Sequence, residues 1–430
     1  MTRSTRIGIV SALIALAMAA QVSYVAARDV PDQLPDPDGK AADMSKPVQV
    51  YILLGQSNML GAGRVVGEKE GTLEHAVKAK KKYPYLVDDA GQWTVRKDVR
   101  NVRVAGSGTG KMRQCENEWM TTKGGNIGPE IGIGYYVGHA VDAPVLILKS
   151  CTGNRSLGWD LLPPGSERYE VEENGKTMVY AGYKDSPAKW EKGTEPKKIG
   201  WYAGMQYDGD VARAKKVLAE LDKYYPGAKK YEVAGFFFWQ GDKDRYNAAH
   251  ASRYEQNLVH FIKTLRKDFN APSAKFVCAT LGQTKKGAGG NEGKILEAQF
   301  AVDGKNGKYK EFAGNVASVY SNPFCHGGAS NSHYGGNAET YMDVGEAMGR
   351  AMAELLNQTK AGASAAPPVD DKKAEILEQN LTRRLTLAKN YLKSGSKTNA
   401  RRILSDLAKK WPGTPQGQEA AQLLEAATGK

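Results

Sequence analysis

The apolar and polar positions of this chain fall into one recurring pattern, displayed most fully between Val48 and Gly63. Val48-Gln49-Val50-Tyr51-Ile52-Leu53-Leu54 is apolar at six of seven positions, then stops at Gly55 and gives way to Gln56-Ser57-Asn58-Met59-Leu60-Gly61-Ala62-Gly63. An unbroken apolar run, rather than an alternating one, predicts a strand buried on both faces of a parallel sheet. The glycines that follow let the backbone turn sharply and let another group approach closely. Four further apolar runs, at residues 145–148, 231–239, 275–281 and 316–320, predict four more strands. Between them the period changes to that of a helix. Gly128-Pro129-Glu130 opens one through about His139, with Pro129 suited to its first turn. Val211, Ala214, Val217, Leu218 and Leu221 mark a second helix, and Tyr254, Leu258, Phe261, Ile262 and Leu265 a third. Residues 338–356 close the series.

Strands alternating with helices predict an α/β fold with a doubly wound parallel sheet over residues 48–358. Two stretches, 68–123 and 155–207, show neither period and read as long surface excursions of the kind that often form lids. The lysine run at 78–82 reads as a solvated helical face. Residues 28–47, with Pro31, Pro35, Pro37 and Pro47, read as an extended lead-in, and 359–370 as a small-residue and proline linker. Beyond it, Leu377, Leu381, Leu385, Ala388 and Leu392 form one helical stripe and Ala400, Ile403, Leu404 and Leu407 another. Thr414 is placed to cap a third helix begun by Pro415. Residues 371–430 thus resemble one to one-and-a-half tetratricopeptide units, whose apolar faces need a neighbour, either the main domain or a protein partner.

Composition changes this picture in three places. Arg3 and Arg6 precede the apolar residues 7–20, and Val25-Ala26-Ala27 offers small residues for cleavage, so residues 1–27 read as a secretory signal peptide. The expected protein is exported, periplasmic or secreted, with no stable membrane insertion after cleavage. The net charge of +13 favours acidic partners, but from Asp370 onward there are 12 Lys/Arg against 7 Asp/Glu, so much of the excess lies away from Ser57. No finger, basic zipper or RNP sequence points to nucleic acid. The four cysteines, Cys115, Cys151, Cys278 and Cys325, allow one or two disulfides, and their wide spacing argues against a structural zinc site.

Three predicted strands end in turns suited to acyl transfer. Ser57, at the carboxyl end of the first, is the candidate nucleophile, although serine also caps helices. The turn is not a G-x-S-x-G elbow, because Met59 stands where the second glycine belongs. Gly153 offers an unencumbered backbone N–H to a developing oxyanion, and Gln240 a side-chain amide. Of six histidines, His75, His139, His250 and His260 fall in excursions or helices. His326 and His333 lie in the loop after the last strand, at the sheet edge where Ser57 is expected, and His333 is the preferred general base, with His326 second.

Gly55-Gln56-Ser57-Asn58-Met59, Gly128-Pro129-Glu130, the turn at residues 149–154, Trp239-Gln240-Gly241-Asp242 and His333 follow one another as do the blocks of SGNH hydrolases. The branch they resemble is that of the sialate O-acetylesterase and acetylxylan-esterase-like carbohydrate esterases. The resemblance implies a three-layer α/β/α sandwich with five parallel strands and no cofactor or metal. It assigns Ser57 as nucleophile, His333 as base, and the Ser57 N–H, Gly153 N–H and Gln240 side chain as the oxyanion hole. The family commonly carries an aspartate three residues before its histidine, and this chain has Ser330 there. Either a serine–histidine dyad operates, or a carboxylate such as Asp242, Glu339 or Asp343 arrives from elsewhere. The implied activity is removal of acetyl groups from an acetylated polysaccharide or oligosaccharide. A lipid or thioester hydrolase on the same fold, and a non-catalytic glycan-binding protein, are the rivals. Trp159, Trp190, Trp201 and Tyr202 either stack on sugar rings or simply pack their long loop.

Overall fold

The computed structural model describes residues 28–31, 33–363, 381–382, 384–392, 397–410 and 415–428. The expected signal peptide, most of the linker and the Thr414 cap lie outside the described residues. The chain divides into two compact units, Met1–Lys360 and Ala361–Lys430.

The first unit is built on a mostly parallel sheet of seven strands, two more than expected. The strands are β1 (Val48–Gly55), β2 (Val95–Ala105), β3 (Arg113–Thr121), β4 (Val145–Ser150), β5 (Tyr231–Trp239), β6 (Lys275–Ala279) and β7 (Val316–Val319). Their order across the sheet is β7-β6-β5-β1-β4-β2-β3. All neighbouring pairs are parallel except β2 with β3. β1 is therefore central, and all eight of its residues are buried. Its side chains divide between two cores: Val50, Ile52 and Leu54 join Phe236 and Phe238 of β5 in one, and Tyr51 and Leu53 join Phe237 and Trp239 in the other. That division explains the unbroken apolar runs, since each strand meets apolar groups on both faces, and each large side chain so buried contributes about 1.5–3 kcal/mol.

The first core is completed by α3 (Met205–Ala219), α4 (Ala248–Asp268) and α5 (Gly290–Ala301), and the second by α2 (Glu130–Ala140) and α6 (Ala338–Ala363). The stripe Tyr254, Leu258, Phe261, Ile262 and Leu265 of α4 is buried as its spacing predicts. Asn247 caps α4, its side chain accepting from the backbone N–H groups of Ala249 and His250. α6 runs to Ala363, past Leu356 where the apolar pattern ends.

The added strands β2 and β3 come from the stretch that reads as a surface excursion. Their charged residues pair across the ladder: Arg103 lies opposite Glu116 and meets it at 3.3 Å, and the Arg100 guanidinium sits 4.9 Å over the Trp119 ring. Arginine stems cover apolar surface while their heads are paired, so strands that pack as part of the sheet look solvated in the sequence. The other excursion, residues 155–207, contains a small three-stranded antiparallel sheet formed by Tyr169–Glu173, Lys176–Tyr180 and Lys189–Glu191.

In the second unit, helical residues 381–382 and 384–392 pack with α7 (Lys397–Lys410) and α8 (Pro415–Thr428) through Leu381, Leu385, Ala388, Leu404, Leu407 and Ala420. All four cysteines are free. No helix among the described residues is long and apolar enough to cross a membrane.

Candidate active site

β1 delivers Ser57 into a single-turn helix, α1 (Ser57–Leu60), through Gly55 and Gln56. Gly55 has φ +140°, and a Cβ there would stand 2.4 Å from the Trp239 carbonyl oxygen of β5, so the turn needs glycine. Gly61 closes α1 against Gly128, where a Cβ would come within 2.2 Å of the Gly128 Cα. Ser57 itself is half-buried, and its Oγ makes no hydrogen bond among the described residues.

Below the turn lies a buried ion pair that no single motif announced. Lys149, the fifth residue of β4, places its Nζ 2.5 Å from Glu130 Oε2 and 2.9 Å from the Leu60 carbonyl, the last residue of α1. Both side chains are nearly inaccessible, at 1% and 6%. Glu130 Oε1 accepts from the Gly128 N–H at 2.9 Å. The Gly128-Pro129-Glu130 and Lys149 blocks are thus one device that braces α1. A lysine directly after the apolar run Val145–Leu148 is the signal that could have revealed it.

Gly153, in the turn after β4, lies close to Ser57. A Cβ on Gly153 would contact Ser57 Cβ at 3.5 Å. Neither the Gly153 nor the Ser57 backbone N–H donates to any group among the described residues. Two donors with no partner therefore flank the serine, the arrangement an oxyanion requires.

Gln240 is placed differently from expectation. It is buried, and its Nε2 donates to Asp244 Oδ2 at 2.6 Å, to the Arg155 carbonyl at 2.9 Å and lies 3.2 Å from Gln56 Oε1. Its Oε1 accepts from Tyr254 Oη at 2.7 Å. An amide with two N–H groups has none left over for a ligand in this arrangement. Gln240 instead ties together the turns after β1, β4 and β5. Asp244, a residue the sequence reading passed over, completes the tie by accepting from the Leu157 and Gly158 N–H groups at 2.8 Å each. Complete burial pushes its carboxyl up to about 6. Because both of its oxygens accept N–H groups, Asp244→Asn points an amide donor at other donors. We expect a loss of about 1–3 kcal/mol, read as a lower thermal midpoint by circular dichroism; an unchanged midpoint would show that the tie carries little stability.

His333 sits in a tight segment, Ser330–Gly336, that packs against α1. His333 and Tyr334 both have φ +53°, a left-handed conformation that costs non-glycine residues free energy. The segment is anchored by Tyr334, whose fully buried ring stacks on Trp239 of β5 at 5.8 Å, and by the Tyr341 hydroxyl, which donates to the His333 carbonyl at 3.4 Å. The His333 ring is half-buried and makes no hydrogen bond among the described residues. Its loop is brought to α1, but the Ser57–His333 hydrogen bond itself is not formed. His326 is exposed, and its backbone is tied to Thr340 of α6.

The three carboxylates part company. Glu339 takes Lys80 Nζ at 2.6 Å and Lys82 Nζ at 3.0 Å; Asp343 takes Lys82 and the Tyr83 hydroxyl. Asp242 alone meets the histidine loop, through the Ser330 hydroxyl at 2.5 Å. Among the aromatics, Trp159 and Trp190 pack with Leu162, Ala181 and Ala203, and Tyr202 donates to Asp208 at 2.8 Å. Trp201 carries the Arg155 guanidinium 4.8 Å over its ring.

Residues 185–354 match a family described as carbohydrate esterase, sialic acid-specific acetylesterase. The match supports a carbohydrate esterase. It takes in Gln240, Asp242, Ser330 and His333 and leaves Ser57 and Gly153 outside. No curated protein matches the chain. Among solved structures, the chain is similar to a protein from Arabidopsis thaliana, at 18% identity over 71% of this chain and 98% of the other, with a TM-score of 0.39. It is also similar to a carbohydrate acetylesterase from Xanthomonas citri, at 14% identity over 72% of this chain and 56% of the other, with a TM-score of 0.41. A third is NanS, at 14% identity over 58% of this chain and 69% of the other, with a TM-score of 0.31.

Proposed function

We propose that the chain is an exported carbohydrate O-acetylesterase working by serine–histidine acyl transfer. The observation that carries the reading is the pair of unpartnered backbone N–H groups, of Ser57 and Gly153, beside the Ser57 side chain. In the proposed reaction Ser57 Oγ attacks the acetyl carbonyl as His333 accepts its proton. The oxyanion is held by the two N–H groups, and collapse of the intermediate returns the proton to the departing sugar oxygen. Water, deprotonated by His333, then attacks the acetyl-serine, and acetate leaves as Ser57 regains its proton. Gln240 enters this scheme as the group that holds the Gly153 turn against α1; serving as a third oxyanion donor would require its amide to leave Arg155 and Asp244.

Finer parts of the proposal are a sialate-type acetyl ester as substrate, a three-layer sandwich as scaffold, removal of residues 1–27 on export, and a protein partner for the tetratricopeptide-like C-terminal helices. The discriminating experiment compares acyl chain lengths. Purified protein should hydrolyse p-nitrophenyl acetate at least about tenfold faster, by kcat/KM, than the octanoate, and should release acetate from acetylated glycans. A preference for the long acyl chain would instead favour the lipid-ester reading, and binding of glycans with no turnover the non-catalytic one.

A further inference from the structure

Two aromatic side chains among the described residues are exposed, Tyr231 at 42% and Tyr246 at 62%. Tyr231 opens β5 and so lies at the amino edge of the sheet, away from Ser57. Tyr246 follows the carboxyl end of the same strand, in a short turn, Asp244–Tyr246, that leads into α4. The aromatics that the sequence offers for stacking on sugars are otherwise engaged: Trp159 and Trp190 pack their loop, Trp201 carries Arg155, and Tyr202 donates to Asp208.

Tyr246 is also held still. The Arg245 guanidinium lies 4.3 Å over its ring and donates to its hydroxyl at 2.5 Å. Arg245 is fixed in turn, with Nε on Asp242 at 2.8 Å and NH1 on Glu292 of α5 at 2.6 Å, and its side chain is only 17% exposed. From the other side, the Asn291 amide donates to the Arg245 carbonyl at 2.9 Å. A surface tyrosine ordinarily loses rotamer freedom when a ligand orders it, and that loss weakens binding. Here the ordering precedes any ligand. The guanidinium covers one face of the ring, and the high exposure of the residue leaves the opposite face to solvent.

The turn lies at the mouth of the candidate site. The Lys243 N–H donates to Gln56 Oε1 at 3.3 Å, one residue before Ser57. Asp242 meets Ser330 of the histidine loop. The segment that presents Tyr246 thus touches both sides of the cleft in which an acetyl ester would sit. A pyranose ring has an apolar face of C–H bonds whose hydrogens are slightly positive, which suits the negative face of an aromatic ring, while its hydroxyl edge stays in water.

We propose that Tyr246 is a sugar-stacking platform, a subsite for the pyranose residue adjoining the acetylated one, so that the preferred substrate is an oligosaccharide or polysaccharide and not a free acetylated monosaccharide. Arg245 acts as the positioning residue for the platform. The proposal rests on the esterase reading for its purpose, whereas binding at Tyr246 can be measured without turnover.

The first test is affinity electrophoresis of the full chain through gels containing acetylated xylan, acetylated glucomannan or acetylated pectin. At least one should retard the wild-type protein. Tyr246→Ala should weaken that retardation at least about threefold, and Tyr246→Trp, which keeps an aromatic face, should preserve it. On the retarding glycan, Tyr246→Ala should lower kcat/KM relative to that for p-nitrophenyl acetate at least about tenfold, with most of the loss in KM. Tyr246→Trp should bring the ratio back to within about threefold of wild type. The proposal is overturned if no glycan retards the wild-type protein, if Tyr246→Ala binds as the wild type does, or if Tyr246→Trp fails as alanine does. An alanine variant that does not fold assigns Tyr246 to architecture and overturns it too. Failure of the esterase reading shows separately, as wild-type protein retarded through Tyr246 that releases no acetate.

Discussion

Ser57→Ala should abolish turnover of acetyl esters, with kcat at least about 10⁴-fold lower, while the protein folds with an unchanged thermal midpoint. The two halves of this expectation have separate physical grounds. Ser57 Oγ has no hydrogen-bonding partner among the described residues, and the turn around it is held by Gly55, by the Gly61–Gly128 approach and by Lys149 on the Leu60 carbonyl. Removing the hydroxyl therefore deletes a nucleophile and leaves the scaffold's own bonds in place. Residual rate should survive from the Ser57 and Gly153 N–H groups, which alanine at position 57 keeps. A variant that retains more than a tenth of wild-type kcat would remove Ser57 from the chemistry. The measurement is acetate release at saturating substrate alongside a melting curve, so that a folding defect is not read as a catalytic one.

The open contact between Ser57 and His333 has a physical reading. His333 and Tyr334 sit at positive φ, and the loop is secured through the Tyr334 ring on Trp239 and Tyr341 rather than through the imidazole. The histidine is left to be aligned by whatever it bonds, and catalytic hydrogen bonds commonly tighten only in the substrate complex.

The sequence made the central strands legible because their packing leaves a simple trace. A strand with apolar neighbours on both faces, such as β1 or β5, cannot alternate, and an unbroken run bounded by Gly55 or Gly241 can be little else. β2 and β3 left no such trace, because Arg100 and Arg103 of one strand are accommodated by Asn117 and Glu116 of the other, and such pairing depends on how the two strands align. Register is a property of two segments, and neither segment displays it alone. The site divides the same way. Ser57 and Gly153 could be placed from the strand ends that carry them. The engagement of Gln240 by Asp244 and Arg155, and the contact of Asp242, rather than Glu339 or Asp343, with Ser330, depend on separate chain segments meeting.

The largest stability effect expected in the molecule is at Lys149. A buried ion pair gains little over an apolar pair of similar shape, but removing one partner leaves the other charged and unsolvated, at a cost of about 3–5 kcal/mol. Lys149→Met leaves Glu130 in that position, 6% exposed, and also strips the Leu60 carbonyl of its donor. The predicted result is a fall of that size in urea-derived unfolding free energy, with kcat reduced at least tenfold because α1 carries Ser57. Adding Glu130→Gln to Lys149→Met removes the stranded charge and keeps an oxygen to accept from the Gly128 N–H, so more than half of the lost stability should return. Activity should return less completely, since methionine cannot donate to Leu60 and α1 remains unbraced. Recovery of both together would mean that the charge alone mattered, and recovery of neither that Lys149 acts by filling space. The split between stability and rate therefore tests whether the pair beneath Ser57 is there to hold the fold or to hold the nucleophile.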